Sequence, residues 1–172
     1  MKAILAALFL SVALAGVAQA QQPNIVVFLS DDHSLFDSTA YGSKDVKTPA
    51  MERLANAGMT FDRAFVASPS CAPSRAALLT GLMPVRNGAE ANHSKPRPEI
   101  KKLPAYLKAL GYELVSFGKV SHYRQTGDYG FDHFAHDTFH DDVAIPNGIK
   151  WLRERSGEVE GAGSAGGLLN AI

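Results

Sequence analysis

The stretch PAYLKALGYELVSFGK, residues 104–119, places a helix directly before a short apolar run. Pro104 suits the first turn of a helix, apolar residues follow at helical spacing, and Gly111 suits the residue that ends one. Residues 113–117 are then apolar enough for a strand that is buried in a sheet. This stretch therefore predicts a helix packed beside a strand.

The same alternation continues on the amino-terminal side of this stretch. Residues 24–29, NIVVFL, predict a strand buried on both faces of a parallel sheet. A helix is predicted over 48–58 with Thr48 as its N-cap, an extended segment over 60–67, and a second helix over 74–82. Strands that alternate with helices predict an α/β fold, with a mostly parallel sheet flanked by helices.

The two ends of the chain differ from this pattern. Residues 1–20 combine Lys2, an apolar run and the small-residue pattern of a cleavage site, which predicts a signal peptide and an exported, periplasmic or secreted protein. The apolar run is shorter than a membrane-spanning helix requires, so we expect no membrane segment after cleavage. Residues 157–172 contain five Gly and no apolar periodicity, which predicts a flexible tail or a truncation edge after a folded part at 21–156.

The composition excludes several classes of protein. The chain has 172 residues, with 17 Lys plus Arg against 17 Asp plus Glu, so its formal net charge is zero. A nucleic-acid partner held by a broad basic surface is therefore not expected. Hydrophobic residues make up 46% of the chain, which is enough to build a core. The single Cys, Cys71, cannot form an internal disulfide.

Asp31 and Asp32 directly follow the predicted strand at 24–29. Open α/β sheets place ligands at the carboxyl ends of their strands, and adjacent carboxylates suit a hard cation such as Ca²⁺ or Mg²⁺. A solvated turn or a helix N-cap explains an Asp-Asp pair equally well. The pair alone therefore leaves both interpretations open.

Cys71 lies at a predicted helix start, where backbone N–H groups favour an anion. Arg75 follows one turn later, and its fork of donors suits a tetrahedral oxyanion such as sulfate or phosphate. A lone Cys is more often a small buried hydrophobe. The neighbouring Pro73 and Arg75 favour a reactive site instead.

Lys119 and His122 follow the predicted strand at 113–117. Lys119 offers a positive charge to an oxyanion, and His122 can transfer a proton near neutral pH. Each residue alone is more simply a solvated Lys or a packed His. Their position at a strand end, together with the other two segments, predicts one polar site at one edge of the sheet.

The residues CAPSRAALLTG at 71–81 resemble the signature of the type I sulfatases of the alkaline phosphatase superfamily. The order of Asp31-Asp32, Gly118-Lys119 and Gly130-Phe131-Asp132 around this signature also matches that family. The Lys-x-x-His spacing of Lys119 and His122 resembles the iduronate-2-sulfatase-like branch. Asn87-Gly88 with His93 resembles the heparan N-sulfatase branch.

The resemblance implies a sulfuric ester hydrolase that cleaves sulfate esters or N-sulfates of carbohydrates. Cys71 would be oxidised to Cα-formylglycine by a maturation enzyme, and its hydrate would attack sulfur. Asp31, Asp32 and modified Cys71 would bind Ca²⁺, or Mg²⁺. Arg75, Lys119 and His122 would complete the catalytic set, with Lys119 and His122 also binding substrate.

The resemblance covers only the amino-terminal part of that catalytic domain, so the fold is expected to be incomplete. Asp141-Asp142, with His136 and His140, is predicted to form a polar loop rather than a metal site. Two other hypotheses stay open. The chain could be a truncated remnant without catalysis, or a phosphatase or phosphonate hydrolase of the same superfamily.

Overall fold

The computed structural model describes residues 22–122, 125–135 and 141–159. The predicted signal peptide at 1–20, His136, His140 and residues 160–172 of the predicted tail lie outside the described residues. Two short 3-10 turns cover Leu35–Asp37 and Thr39–Tyr41. The helices and strands are, in chain order, α1 Pro49–Ala57, α2 Cys71–Thr80, α3 Pro84–Asn87, α4 Leu103–Ala109, β1 Val115–Phe117, α5 Thr126–Tyr129, β2 His133–Ala135 and α6 Asp141–Val159.

The predicted helices are confirmed, with changes at their ends. Helix α1 begins after Thr48 and stops before Gly58, as predicted. Helix α2 ends at Gly81, whose φ of 69° gives the left-handed conformation that glycine adopts without strain. It begins three residues earlier than predicted, at Cys71. Pro73 is tolerated in its first turn because N–H groups there have no acceptor within the helix, so the N–H that proline lacks costs no hydrogen bond.

The strands β1 and β2 pair in parallel, with Val115 opposite His133 and Phe117 opposite Ala135. This pairing confirms the predicted α/β fold with a parallel sheet and flanking helices. Strand β1 lies within the predicted run 113–117, whereas β2 was not predicted. Two of its three residues are exposed in the structure, so it carries little apolar pattern.

The predictions of strands over 24–29 and 60–67 are wrong for this structure. Both segments are irregular, and the Phe28 and Phe65 side chains are 77% and 90% exposed. A strand is defined by its ladder of hydrogen bonds to a neighbour. Within the described ranges no segment pairs with either of these two, so their β-forming composition has no ladder to join.

The hydrophobic core lies between α2, β1 and the segment after α5. Its buried members are Leu79, Leu114, Val120, Tyr129 and Phe131. Val27 reaches the edge of this core, where it lines an apolar cavity together with Leu114 and Phe131. The segment 24–29 therefore lies against the core on one side and is open on the other.

Helix α6 replaces the polar loop that was predicted at Asp141-Asp142, which is a correction. It continues to Val159, three residues into the predicted tail. Trp151 packs against Phe117 of β1 at 6.4 Å between ring centroids, and Arg155 forms an ion pair with Glu113. Contacts on the sheet thus stabilise a helix that its own sequence predicts weakly. Among the described residues, no helix is both long and apolar enough to cross a membrane.

Candidate functional site

Helix α2 places two of the predicted site residues one turn apart. Cys71 is partly buried in its first turn, and Arg75 is only 5% exposed. Arg75 is four positions after Cys71, so both side chains lie on the same face of the helix. Burial of a guanidinium requires partners for its N–H groups, and the structure supplies them from two other segments.

Arg75 joins α2 to the loop after β1. Its Nη1 donates to the carbonyl oxygen of Lys119 and, at 3.3 Å, to that of Val120. Gly118 begins this loop with a φ of 76°, and its N–H donates to Ala135 of β2 at 3.2 Å. The loop is therefore fixed at the carboxyl end of the parallel sheet, where ligands are expected.

Asp31 lies between two cations. Arg75 Nη2 donates to its Oδ1 at 3.0 Å, and Lys119 Nζ forms an ion pair with its Oδ2. Burial raises the pKa of the Asp31 carboxyl, but the hydrogen bonds from Lys119 and Arg75 outweigh that effect and hold the pKa below its ordinary value. Asp31, Arg75 and Lys119 thus form one cluster with a net charge of about +1, since one carboxylate faces two cations.

His122 lies three residues after Lys119 and is only 3% exposed. Its Nε2 is 2.6 Å from Nδ1 of His93, and the two rings meet edge to face. Burial lowers the pKa of His122, and the neighbouring His93, Lys119 and Arg75 lower it further, while Asp31 opposes them. His122 is therefore held mainly as the neutral imidazole, which can accept a proton.

Asn92 and His93 link Cys71 to His122, and neither was among the predicted site residues. Cys71 Sγ donates to Asn92 Oδ1 at 3.4 Å, and the same oxygen accepts from the N–H of His93 at 3.1 Å. The φ of His93 is 68°, a strained value for a residue other than glycine. The sequence indicated His93 only through the resemblance to the heparan N-sulfatase branch, and it gave no role for it, because a left-handed conformation at a His has no composition signal.

The structure brings together Cys71, Arg75, Lys119, His122 and Asp31. Asp32 lies beside this group but is exposed, with a φ of 51°. Among the residues that the structure describes, no three Asp, Glu, His or Cys side chains form a group that could hold a metal ion. Asp31, Asp32 and Cys71 are therefore not gathered as a ligand set, and two carboxylates alone cannot fill the six to eight oxygen positions of Ca²⁺.

Comparison with known protein families decides which family this site belongs to. The family model described as Sulfatase matches residues 23–159, which is most of the chain. The chain belongs to the sulfatase family. The match includes every element that forms the cluster around Arg75, so the resemblance seen in the residues at 71–81 is confirmed.

Curated relatives agree with this assignment. The chain is 44% identical over 115 residues to an ulvan-active sulfatase of Formosa agariphila, covering 67% of this chain and 23% of that relative. It is 34% identical to an N-acetylglucosamine-6-O-sulfatase of Bacteroides thetaiotaomicron, covering 68% and 21%. It is 39% identical to the human N-acetylgalactosamine-6-sulfatase, covering 58% and 22%. The chain thus spans less than a quarter of the length of these relatives.

A solved structure of a protein in complex with its substrate D-glucosamine-2-N,6-O-disulfate has a similar fold. The TM-score is 0.69 at 24% sequence identity, and the match covers 87% of this chain and 33% of that one. At this identity the likeness concerns the fold alone. It supports the arrangement of the parallel sheet and the helices around it.

Proposed function

We propose that this chain supplies the sulfate-binding residues of a sulfatase active site, which hydrolyses sulfate esters or N-sulfates. The observation that carries the proposal is the Arg75–Asp31–Lys119 cluster beside Cys71. Its net positive charge suits a sulfate group, and its buried Arg75 keeps the donors in place before substrate arrives. Cys71, in the first turn of α2, lies where backbone N–H groups favour an anion.

Each residue of the cluster has a distinct role in this proposal. Conversion of Cys71 into Cα-formylglycine would supply, as the aldehyde hydrate, the oxygen nucleophile that a thiol lacks. Lys119 would neutralise charge on an oxygen of the bound sulfuryl group. Arg75 would fix the positions of Lys119 and Asp31 through its hydrogen bonds to both. His122, kept neutral, would accept a proton during attack and return it to the leaving group.

Asp31 and Asp32 would contribute oxygens to a divalent cation, Ca²⁺ or Mg²⁺. Carboxylates at a strand end have the chemistry that such hard cations prefer. Further ligands are needed beyond these two, and in the structure the Asp31 carboxylate is held by Arg75 and Lys119. The roles given above to Arg75, Lys119 and His122 depend only on this chain's own side chains.

The substrates would be sulfated carbohydrates. The relatives are named for activity on ulvan, N-acetylglucosamine-6-sulfate and N-acetylgalactosamine-6-sulfate, and all three are sulfated sugars. A formylglycine-generating enzyme would be the partner required for maturation. The residues at 1–20 would direct export to the periplasm or the outside.

The test is turnover of 4-nitrophenyl sulfate by the full chain, produced together with a formylglycine-generating enzyme. We expect sulfate release that disappears in the Cys71→Ala variant, with 4-nitrophenyl phosphate as the competing substrate. Preferred release of phosphate would favour the phosphatase hypothesis. No turnover of either ester would favour a remnant without catalysis.

A further inference from the structure

The two histidines of the site differ in their access to solvent. His122 is almost fully buried, whereas His93 is exposed. The 2.6 Å approach of His122 Nε2 to His93 Nδ1 is short enough for one shared proton, which lies on one nitrogen or the other. One ring nitrogen of the predicted proton-transfer residue is therefore held by a second histidine.

His93 is held rigidly for an exposed residue. Its carbonyl oxygen accepts a hydrogen bond from Nε2 of Gln125 at 3.1 Å, and Gln125 is buried. Its N–H donates to Asn92, which also accepts from Cys71. A left-handed φ persists at a non-glycine residue only where its surroundings fix it, and such positions cluster at functional sites.

The charged groups that face the pair limit how many protons it can hold. Lys119 and Arg75 are the positive charges that act on His122, and Asp31 partly offsets them. Two imidazoles in contact repel each other when both are protonated. The pair is thus suited to carry one proton at a time between a buried and an exposed position.

We propose that His93 is a positioning residue for His122, fixing which ring nitrogen of His122 carries the proton and passing that proton to solvent. A proton leaving His122 Nε2 would bind Nδ1 of His93, and His93 would release another from its own Nε2 to water. His93 would then be neutral again with its proton on Nδ1, and exchange of ring protons with water would restore its first tautomer before the next transfer. This inference rests on the proposed function, because that function assigns proton transfer to His122.

The test is nuclear magnetic resonance of the full chain labelled with ¹⁵N-histidine, which reports the tautomer of each neutral ring. We expect a single tautomer of His122 in the wild type and a mixture in His93→Ala. His93→Asn, whose amide can replace Nδ1, should restore the single tautomer. The matched control is His133→Ala on β2, which pairs with Glu113 and should leave His122 unchanged.

An unchanged His122 tautomer in His93→Ala would overturn the proposal. If His93→Ala does not fold, His93→Phe keeps a ring without nitrogen and serves as the same test. Turnover of 4-nitrophenyl sulfate in the same samples separates the two proposals. We expect kcat to fall about 100-fold in His93→Ala with little change in KM, since general acid-base groups contribute about that much.

Two further outcomes have definite meanings. A wild type without turnover, but with the expected tautomer change, would contradict the proposed function and leave the positioning of His122 by His93 supported. A wild type with turnover that His93→Ala retains in full would overturn the role of His93 and leave the proposed function intact.

Discussion

The loop after β1 and the segment at 24–32 both supply residues to the same cluster, but they are held very differently. Ser116, Val120 and Ser121 around the loop are fully buried. Phe28, in the other segment, is 77% exposed, and Asp31 is attached through its ion pairs with Arg75 and Lys119. Burial therefore holds the loop after β1 in place, whereas ion pairs hold the segment at 24–32.

This difference follows from where the partners of each segment lie. Strand β1 has β2 beside it and α6 packed against Phe117. The run at 24–29 has a sequence suited to a strand, yet it lines only the edge of an apolar cavity. A β-forming sequence therefore becomes a strand only where a neighbouring ladder is available.

The largest effect on stability is expected at Arg75, which contacts both the loop after β1 and the segment at 24–32. Arg75→Ala should lower the free energy of unfolding by about 4 kcal/mol, because it leaves buried carbonyl oxygens without donors and removes one of the two cations that hold Asp31. Urea unfolding followed by circular dichroism measures this loss. The exposed Arg86 gives the matched control, and Arg86→Ala should cost less than about 0.5 kcal/mol. Equal losses of unfolding free energy in both variants would show that Arg75 does not join the loop after β1 to the segment at 24–32.

The second prediction compares an apolar residue from each region. Leu114→Ala should lower the free energy of unfolding by about 3 kcal/mol, because the Leu114 side chain is only 1% exposed and packs within the core. Phe28→Ala should cost less than about 1 kcal/mol, because most of that side chain is already in water. The same urea experiment compares them. A loss for Phe28→Ala as large as that for Leu114→Ala would mean that 24–29 packs as a buried strand, contrary to the structure.

A smaller effect is expected from the pH dependence of Asp31. Its pKa is lower in the folded state, so its contribution to stability is complete above the ordinary value of 3.8 and is lost as pH falls through the folded pKa. The carboxylate is partly exposed, which limits this contribution to about 1 kcal/mol. Asp31→Asn should therefore flatten the acid side of the stability profile.

Titration of the Asp31 carboxyl group, followed by nuclear magnetic resonance of its carbon, tests which residue lowers the Asp31 pKa. Lys119→Met should move the Asp31 pKa upward, because it removes a hydrogen bond and a positive charge. Lys95→Met removes an exposed Lys that pairs with Asp128 instead, and should leave the Asp31 pKa where it is. An unchanged Asp31 pKa in Lys119→Met would contradict the ion pair between Lys119 and Asp31.

Much of the fold could be predicted from local signals. Thr48 and Gly58 mark the ends of α1, Gly81 marks the end of α2, and the run at 113–117 contains β1. These features act within a few residues of themselves, so sequence alone reveals them. Helix α6 could not be predicted, because it is stabilised by the contacts of Trp151 with Phe117 and of Arg155 with Glu113 rather than by its own sequence pattern.

The site divides in the same way. The motif at 71–75 carries Cys71 and Arg75 on one helix face, which helical spacing predicts. The contact of His122 with His93 joins positions 29 residues apart, and nothing in either local sequence specifies it. The role of Asn92 as a partner of Cys71 likewise depends on how the chain folds back.

The central claim is that Cys71 is a reactive residue beside an anion-binding cluster rather than an inert thiol. Mass spectrometry of the peptide containing Cys71, from the full chain produced with a formylglycine-generating enzyme, tests it most directly. We expect the mass loss of thiol-to-aldehyde conversion and trapping of the aldehyde by a hydrazine reagent. An intact thiol in material that releases sulfate from 4-nitrophenyl sulfate would contradict it.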